Sequence, residues 1–206
     1  LLLAKLFNSG PSRASVNAIL NLMSPTNPVT LWALIPVVPG MEKEEVFPLL
    51  TFLIKTSLPV ACVAMKKLLY PTSREFYPVT ALELLIWLHR VKYETKSERY
   101  ALILLIKLCM SESLEKWNAL DCAAIQSAIS QLTSDTDTPP LLMRLVIIFL
   151  QDHPTCVDFV LSTIRALIEP VTIQNLIVSK GIRRCLKMVD TRESQQLLEQ
   201  LEQLGQ

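Results

Sequence analysis

The sequence predicts an all-α protein built from stacked antiparallel helix pairs. Half of its 206 residues are hydrophobic, but only 6% are aromatic and only four are glycine. The hydrophobic residues are mainly Leu, Ile, Val and Ala rather than aromatic, and this composition favours helices over strands. Thirteen prolines are spread along the chain. They would break one long helix, but they suit many short helices joined by turns.

Helical periodicity divides the chain into short segments, and no alternating apolar–polar run or Asn-Gly turn supports strands. The predicted helices span residues 12–23, 29–38, 42–55, 58–70, 79–91, 97–110, 114–132, 139–151, 154–168, 171–188 and 191–204. From residue 42 onward they pair into units that begin near residues 42, 79, 116 and 154. Steps of about 37 residues lie close to the repeat lengths of HEAT and armadillo proteins, which predicts a HEAT/armadillo-like α-solenoid.

Proline and capping residues set the boundaries in the first half of the chain. Pro48 falls inside the third predicted helix, which it should kink or split. Pro59 stands in the first turn of the fourth, where a missing N–H is tolerated. The run Pro71–Pro78 is a predicted loop. Thr80 then precedes ALELLIWLH with Glu83 three residues further on, a capping-box pattern that marks the start of the next helix.

Similar signals mark the second half. The polar run Thr133–Pro140 is the clearest predicted loop. Pro140 and Pro154 are expected in the first turns of the helices that follow them. Asp190 and Glu193 repeat the capping pattern before the last helix.

The segment PPLLMRLVIIFLQDHP, residues 139–154, is apolar around nearly its whole circumference and carries Arg144 near its middle. A membrane span needs about 20 mostly apolar residues, so we predict a helix covered by its neighbours in a stack, and no membrane partner. Two hypotheses fit Arg144. Its guanidinium reaches solvent or a carboxylate such as Asp152 or Asp158, or it lies on the concave face and pairs with an acidic group of a partner.

Catalytic and metal-binding motifs are absent from the sequence, including HExxH, GxGxxG and the phosphate-binding P-loop. We therefore expect no enzymatic activity, no metal, no cofactor and no small-molecule substrate. His89 and His153 lie near the ends of predicted helices, where a cationic imidazole suits the negative helix terminus. The 20 basic and 19 acidic residues nearly cancel, so the chain lacks the strong basic field typical of nucleic-acid binding.

Five cysteines, an odd number, lie far apart in apolar windows: Cys62, Cys109, Cys122, Cys156 and Cys185. We expect buried thiols that act as small hydrophobes in a reducing compartment. Cys156 is predicted to be buried rather than reactive, and a Cys–His pair formed in space is the alternative.

The one local basic cluster is KGIRRCLKM. Its cations, Lys180, Arg183, Arg184 and Lys187, follow the i, i+3, i+4, i+7 spacing of one helix face. The cluster is either a solvated face or a docking patch for an acidic protein segment or an RNA backbone. Protein is favoured because flanking aromatic residues are absent. Gly181 is expected to weaken this geometry if it breaks the helix.

Two tryptophans complete the candidate residues. Trp87, in LELLIWLH, is predicted to be core, whereas Trp117, in SLEKWNAL, lies beside charged residues and is predicted to contact a partner. The predicted partner-binding residues are therefore Lys180, Arg183, Arg184, Lys187, Trp117 and Arg144. The chain starts at LLLAKLF without an initiator Met, and we interpret it as a fragment of a larger protein.

Four blocks in order, LIPVVPGMEKEEVFPLL, ALELLIWLH, PPLLMRLVI and GIRRCLKM, resemble the C-terminal domain of the symplekin family. The resemblance runs from about Leu31 to Leu201. It predicts a symplekin C-terminal-like helical repeat domain over residues 31–206. Residues 1–30, which the resemblance does not cover, are expected to form an N-terminal helical segment.

The resemblance implies a nuclear, non-enzymatic scaffold of pre-mRNA 3′-end cleavage and polyadenylation. Its implied partners are subunits of the cleavage and polyadenylation specificity factor: the metallo-β-lactamase endonuclease and its inactive paralogue, bound through their C-terminal regions. In animals the same module also serves histone pre-mRNA. The alternatives are an unrelated HEAT-like adaptor in transport and a helical module that contacts RNA.

Overall fold

A computed structural model describes residues 12–21, 28–70, 79–112, 120–168 and 175–204. Every regular element within these ranges is helical, which confirms the all-α class. The α-helices are α1 (Arg13–Asn21), α2 (Pro28–Ala33), α3 (Lys43–Thr56), α4 (Leu58–Leu69), α5 (Ala81–Arg90), α6 (Lys96–Glu112), α7 (Cys122–Thr133), α8 (Leu142–Asp152), α9 (Val157–Leu167), α10 (Leu176–Val189) and α11 (Arg192–Leu204). The chain forms two compact units, Leu1–Leu120 and Asp121–Gln206.

Helix ends differ from the predicted ones where prolines or caps intervene. Helix α2 ends at Ala33, before Pro36, and the chain continues in turns and a short 3₁₀-helix, Val38–Gly40. Helix α8 begins two residues after Pro140 rather than at it, and Pro154 opens a 3₁₀ turn instead of an α-helix. Residues 120 and 121 are not helical because the Asp121 side chain accepts a hydrogen bond from the Ala124 N–H and caps α7.

Helix α3 runs unbroken through Pro48, so the predicted split is wrong. Proline removes the N–H that would bond the carbonyl of Glu44, four residues earlier. Both residues are exposed, so water is available to that carbonyl. By contrast, Pro59 lies in the first turn of α4, as predicted.

In the first unit, α3 and α5 are joined by two side-chain pairs with the same sequence offset. Lys43 forms an ion pair with Glu83, and Phe47 stacks on Trp87 with ring centroids 5.1 Å apart. Each helix contributes residues one turn apart in the same order, so α3 and α5 run in the same direction. Trp87 is therefore half-buried in an inter-helix stack rather than in the core, which corrects the prediction.

Helix α6 packs against α3, α4 and α5 and supplies the centre of this unit. Cys109 Sγ near its C-terminal end lies 3.5 Å from the carbonyl oxygen of Ala81, the first residue of α5. Helices α5 and α6 are therefore antiparallel. The core of this unit is shared by α3, α4, α5 and α6, whose fully buried leucines include Leu53, Leu68, Leu84 and Leu102.

The predicted capping box of α5 is confirmed. Glu83 N–H donates to Thr80 Oγ1 (3.2 Å), and Thr80 N–H donates to a Glu83 carboxylate oxygen (2.9 Å). The expected box at α11 is wrong in register, because Thr191 and Ser194 make the reciprocal bonds instead. Asp190 takes a left-handed conformation (φ 45°) at the end of α10.

In the second unit, most helices contact both the next helix and the one after it. Helix α7 packs on α8 and α9, α8 on α9 and α10, and α9 on α10 and α11. An ion pair between Arg165 and Glu193 links α9 to α11. The α8 residues Leu142, Leu145, Val146 and Phe149 are completely buried, as the apolar segment 139–154 predicts. No described helix is long and apolar enough to cross a membrane.

Candidate docking surface on helix α10

Helix α10 begins with a strong cap. Asn175 Oδ1 accepts hydrogen bonds from the N–H groups of Ile177 (3.1 Å) and Val178 (3.4 Å), which satisfies two of the free amides at the helix start. One side of the helix is buried through Val178, Ile182, Cys185 and Leu186. The opposite side is exposed to solvent.

Gly181 fixes how α10 lies on α8. A Cβ atom placed on Gly181 would lie 2.4 Å from Met143 Cβ and 3.0 Å from Met143 Cγ. Because Met143 Cβ is tied directly to the α8 backbone, it cannot move aside as a side-chain tip does. Gly181 therefore allows a close helix approach and does not break α10, so the expected disruption is wrong.

The four predicted cations lie together on the exposed side of α10. They are Lys180, Arg183, Arg184 and Lys187, and with Met188 they line a shallow groove of about 380 Å³. Arg13, Lys43 and Arg165 all form ion pairs, whereas no carboxylate of the described ranges pairs with these four. Like charges three and four residues apart repel each other by roughly 0.2–0.5 kcal/mol per pair.

Apolar side chains lie at both ends of the basic stripe. Leu176 is 64% exposed and Ile177 37% at the start of α10, and Met188 is 40% exposed near its end. A rise of 1.5 Å per residue puts about 18 Å between Leu176 and Met188. We call these three residues and the four cations the α10 face.

Arg144, another predicted partner-binding residue, is not part of the α10 face. Arg144 is exposed on α8, and no ion pair with Asp152 or Asp158 forms within the described part of the chain. Exposure fits both hypotheses for Arg144, and Arg144 is not among the residues that line the groove. Trp117 lies outside the described residues.

The family model described as "Symplekin tight junction protein C terminal" matches residues 31–204 of this sequence. This chain belongs to the symplekin C-terminal family. The match confirms the resemblance found from the sequence blocks and includes all of α10. Membership points to a scaffold of mRNA 3′-end processing rather than to an enzyme. No solved structure matches the chain.

This symplekin C-terminal domain also contains a thiol pair that sequence reasoning misses. Cys122 Sγ lies 3.5 Å from Cys156 Sγ. Gln126 Nε2 lies 3.6 Å from Cys156 Sγ. The hydrogen bond with Cys156 is the largest cause of a raised pKa at Cys122, followed by burial. The thiols come together because α7 packs on α9; no local motif joins residues 34 positions apart.

The expectation of five buried thiols holds only in part. Burial raises the pKa of Cys109 to about 12 and that of Cys185 to about 11, as expected for thiols that act as small hydrophobes. Cys62, Cys122 and Cys156 are only half-buried, so the predicted burial of Cys156 is wrong.

We expect a short bifunctional thiol reagent to join Cys122 to Cys156 within one chain, because the two sulfur atoms are in van der Waals contact. Peptide mapping by mass spectrometry would find the bridged peptides. Cys122→Ser and Cys156→Ser should each abolish the bridge. Single modifications of both thiols without a bridge would contradict the packing of α7 on α9.

His89 is buried in α5 and is neutral, so the predicted cationic imidazole is wrong. It is 2% exposed, and its Nδ1 lies 2.8 Å from the carbonyl oxygen of Leu85, to which it donates when Nδ1 carries the proton. Its Nε2 is buried without a hydrogen-bond partner. Burial lowers the pKa of His89 to about 4, because desolvation penalises the charged form.

Proposed function

We propose that this symplekin C-terminal domain is a non-catalytic scaffold in nuclear pre-mRNA 3′-end processing. It serves the cleavage and polyadenylation of pre-mRNA and also the processing of histone pre-mRNA. It holds the C-terminal regions of the metallo-β-lactamase cleavage endonuclease and of its inactive paralogue. The family match over residues 31–204 supports this role. Anchoring two partners on one scaffold raises their effective concentration at each other.

A stacked solenoid over residues 31–206 suits such a role, and the helix contacts support it. In the second unit, α7, α9 and α11 touch in sequence order, and α8 touches α10. In the first unit, α3 and α5 run in the same direction, as equivalent helices of successive repeats do.

The observation that carries the proposal is the unpaired charge of the α10 face. Lys180, Arg183, Arg184 and Lys187 repel one another along one exposed side of the helix. No ion pair within the described residues offsets this repulsion, whereas an acidic partner that binds there gains four cations at fixed spacing. We therefore assign docking of one partner to the α10 face.

Co-purification tests the proposal. The 206-residue chain is mixed with the C-terminal regions of the endonuclease and of its paralogue, and the retained subunits are measured. Wild type should retain both. Arg183→Glu combined with Arg184→Glu should lose at least one, because each substitution turns an attraction into a repulsion at the contact.

The control for this experiment changes the same amount of charge elsewhere. Lys92 and Lys107 are exposed residues of the first unit, and Lys92→Glu combined with Lys107→Glu should leave retention unchanged. Failure of the wild-type chain to retain either subunit would contradict the scaffold role. Equal losses in both double variants would mean that net charge, rather than the α10 face, controls binding.

A further inference from the structure

We infer that the α10 face binds an acidic amphipathic helix with apolar side chains at its two ends and carboxylates between them. This inference rests on the proposed function and names the chemistry of the partner segment. Three features carry it: the spacing of the cations, the exposed apolar residues that flank them, and the closed backbone of α10.

The cations set the acidic part of the partner. Lys180 and Lys187 are seven residues apart, so the four charges occupy about 10 Å of helix axis. Carboxylates at three- and four-residue intervals on a partner helix repeat this spacing along one side. Arg183 and Arg184 also offer forked donors that bind a carboxylate through two hydrogen bonds.

The apolar residues set the length of the partner and the positions of its anchors. Leu176 and Ile177 at one end and Met188 at the other leave large apolar side chains in water. Leu176 and Met188 are twelve residues apart along α10. A helix that lies alongside α10 therefore needs apolar residues about eleven positions apart, which fall on one side of the partner helix, to cover both ends. Methionine suits such a contact because its flexible thioether adapts to different partners.

The backbone of α10 favours a helical partner over an extended one. An extended peptide gains affinity mainly by hydrogen bonding to a free strand edge, and the described part of the chain contains no strand. Along α10 the backbone groups bond within the helix, so a strand laid there would leave its own N–H and C=O groups without protein partners. A helical partner makes its backbone hydrogen bonds within itself and needs none from α10.

The same residues argue for protein over RNA. Single-stranded RNA is held by aromatic side chains that stack on bases as well as by cations on its phosphates. The α10 face contains no aromatic residue, and the exposed Trp32 and Tyr100 belong to the other unit. Exposed Leu176, Ile177 and Met188 instead offer contacts that an apolar anchor fills and a phosphate backbone does not.

Fluorescence anisotropy tests the inference with the 206-residue chain and labelled synthetic helices. The probe peptide has leucines about eleven positions apart, with glutamates at three- and four-residue intervals between them, so that all of them share one side of the helix. One variant replaces the glutamates with glutamine, and a second replaces the leucines with serine. A single-stranded RNA of equal charge is measured in parallel, at low and at high salt.

We expect the probe peptide to bind, and each peptide variant to bind roughly tenfold more weakly or worse. Met188→Ser should weaken the probe without affecting the leucine-to-serine peptide. Arg183→Glu combined with Arg184→Glu should remove binding while keeping the thermal unfolding midpoint, because the reversed charges relieve repulsion along α10. That midpoint separates lost binding from lost folding.

Three outcomes would overturn the inference: equal affinity for the glutamine peptide, tighter binding of RNA than of the probe with a steep salt dependence, or no binding of either. Failure of the proposed function is a separate result. If both cleavage subunits are retained by the charge-reversed chain, the scaffold role stands and the inferred docking at α10 falls. If the probe binds but neither subunit is retained, the inferred binding of an acidic helix to the α10 face is supported and the proposed partners are contradicted.

Discussion

Acidification from pH 6.5 to pH 4.5 should lower the free energy of unfolding by about 2 kcal/mol through His89 alone. The pKa of His89 is about 4 in the folded chain and near 6.5 when exposed. Between these values the unfolded state binds a proton that the folded state does not, so stability falls as pH falls. The loss reaches about 3 kcal/mol once the pH is below 4.

The geometry of His89 explains why the folded state resists protonation. A charged imidazole needs acceptors for both ring N–H groups. Nδ1 can donate a hydrogen bond to the Leu85 carbonyl oxygen, whereas Nε2 is buried with no hydrogen-bond partner. A proton on Nε2 would create a buried charge without a hydrogen bond.

Denaturant unfolding midpoints measured between pH 6.5 and pH 4.5 would show the effect. His89→Phe replaces the imidazole with a somewhat larger, apolar ring and removes the titrating group, so the stability of this variant should change much less over this range. Glu45, Glu83 and Glu98 have pKa values lowered from 4.5, mainly by bonds to Arg13, to Lys43 and to the Glu94 N–H respectively. Their contributions are lost mostly below pH 4.5, under the His89 range. Parallel curves for wild type and His89→Phe would contradict a buried, neutral histidine.

Gly181→Ala should destabilise the chain by up to about 2 kcal/mol, the net of two opposing effects. Alanine favours a helix interior over glycine by about 1 kcal/mol. The added Cβ, however, would lie 2.4 Å from Met143 Cβ, and such overpacking typically costs about 1–3 kcal/mol or more. The clash should win because the contacted atom is fixed to the α8 backbone.

The sign of the stability change in Gly181→Ala shows whether α10 and α8 approach closely. A thermal or denaturant unfolding curve that moves to lower stability supports the close contact of α10 with α8. A gain of about 1 kcal/mol, the usual result at an unconstrained helix position, would show that the helices do not approach so closely. Met188→Ala on the exposed side of α10 is the matched control and should change stability by less than about 0.5 kcal/mol.

Local patterns in this sequence predict structure well where neighbouring residues decide it. Thr80 and Glu83 cap α5 as expected, since both partners lie within one helical turn. The cations from Lys180 to Lys187 share one exposed side of α10 because the 3.6-residue period alone places them there. The same reasoning chose the wrong pair at α11, where the bonded amides are those of Thr191 and Ser194, one position later than expected.

Features that depend on distant residues were not predictable in this way. The contact of Cys122 with Cys156 requires knowing that α7 packs on α9. His89 sits one residue from the end of α5, a position that usually faces water, yet tertiary packing buries it. Gly181 reads locally as a helix breaker, and only the position of Met143 shows why a glycine fits there.

The concentration of charge on α10 has a consequence for how this nearly neutral chain behaves on charged materials. The formal net charge is +1, so bulk electrophoretic mobility near neutral pH is small. Adsorption, however, responds to charge density within a screening distance of about 10 Å at 0.1 M salt, and the four α10 cations fall within one such distance. They act together as a single polyvalent site, which should hold the chain on a cation-exchange resin that its total charge would not lead one to choose.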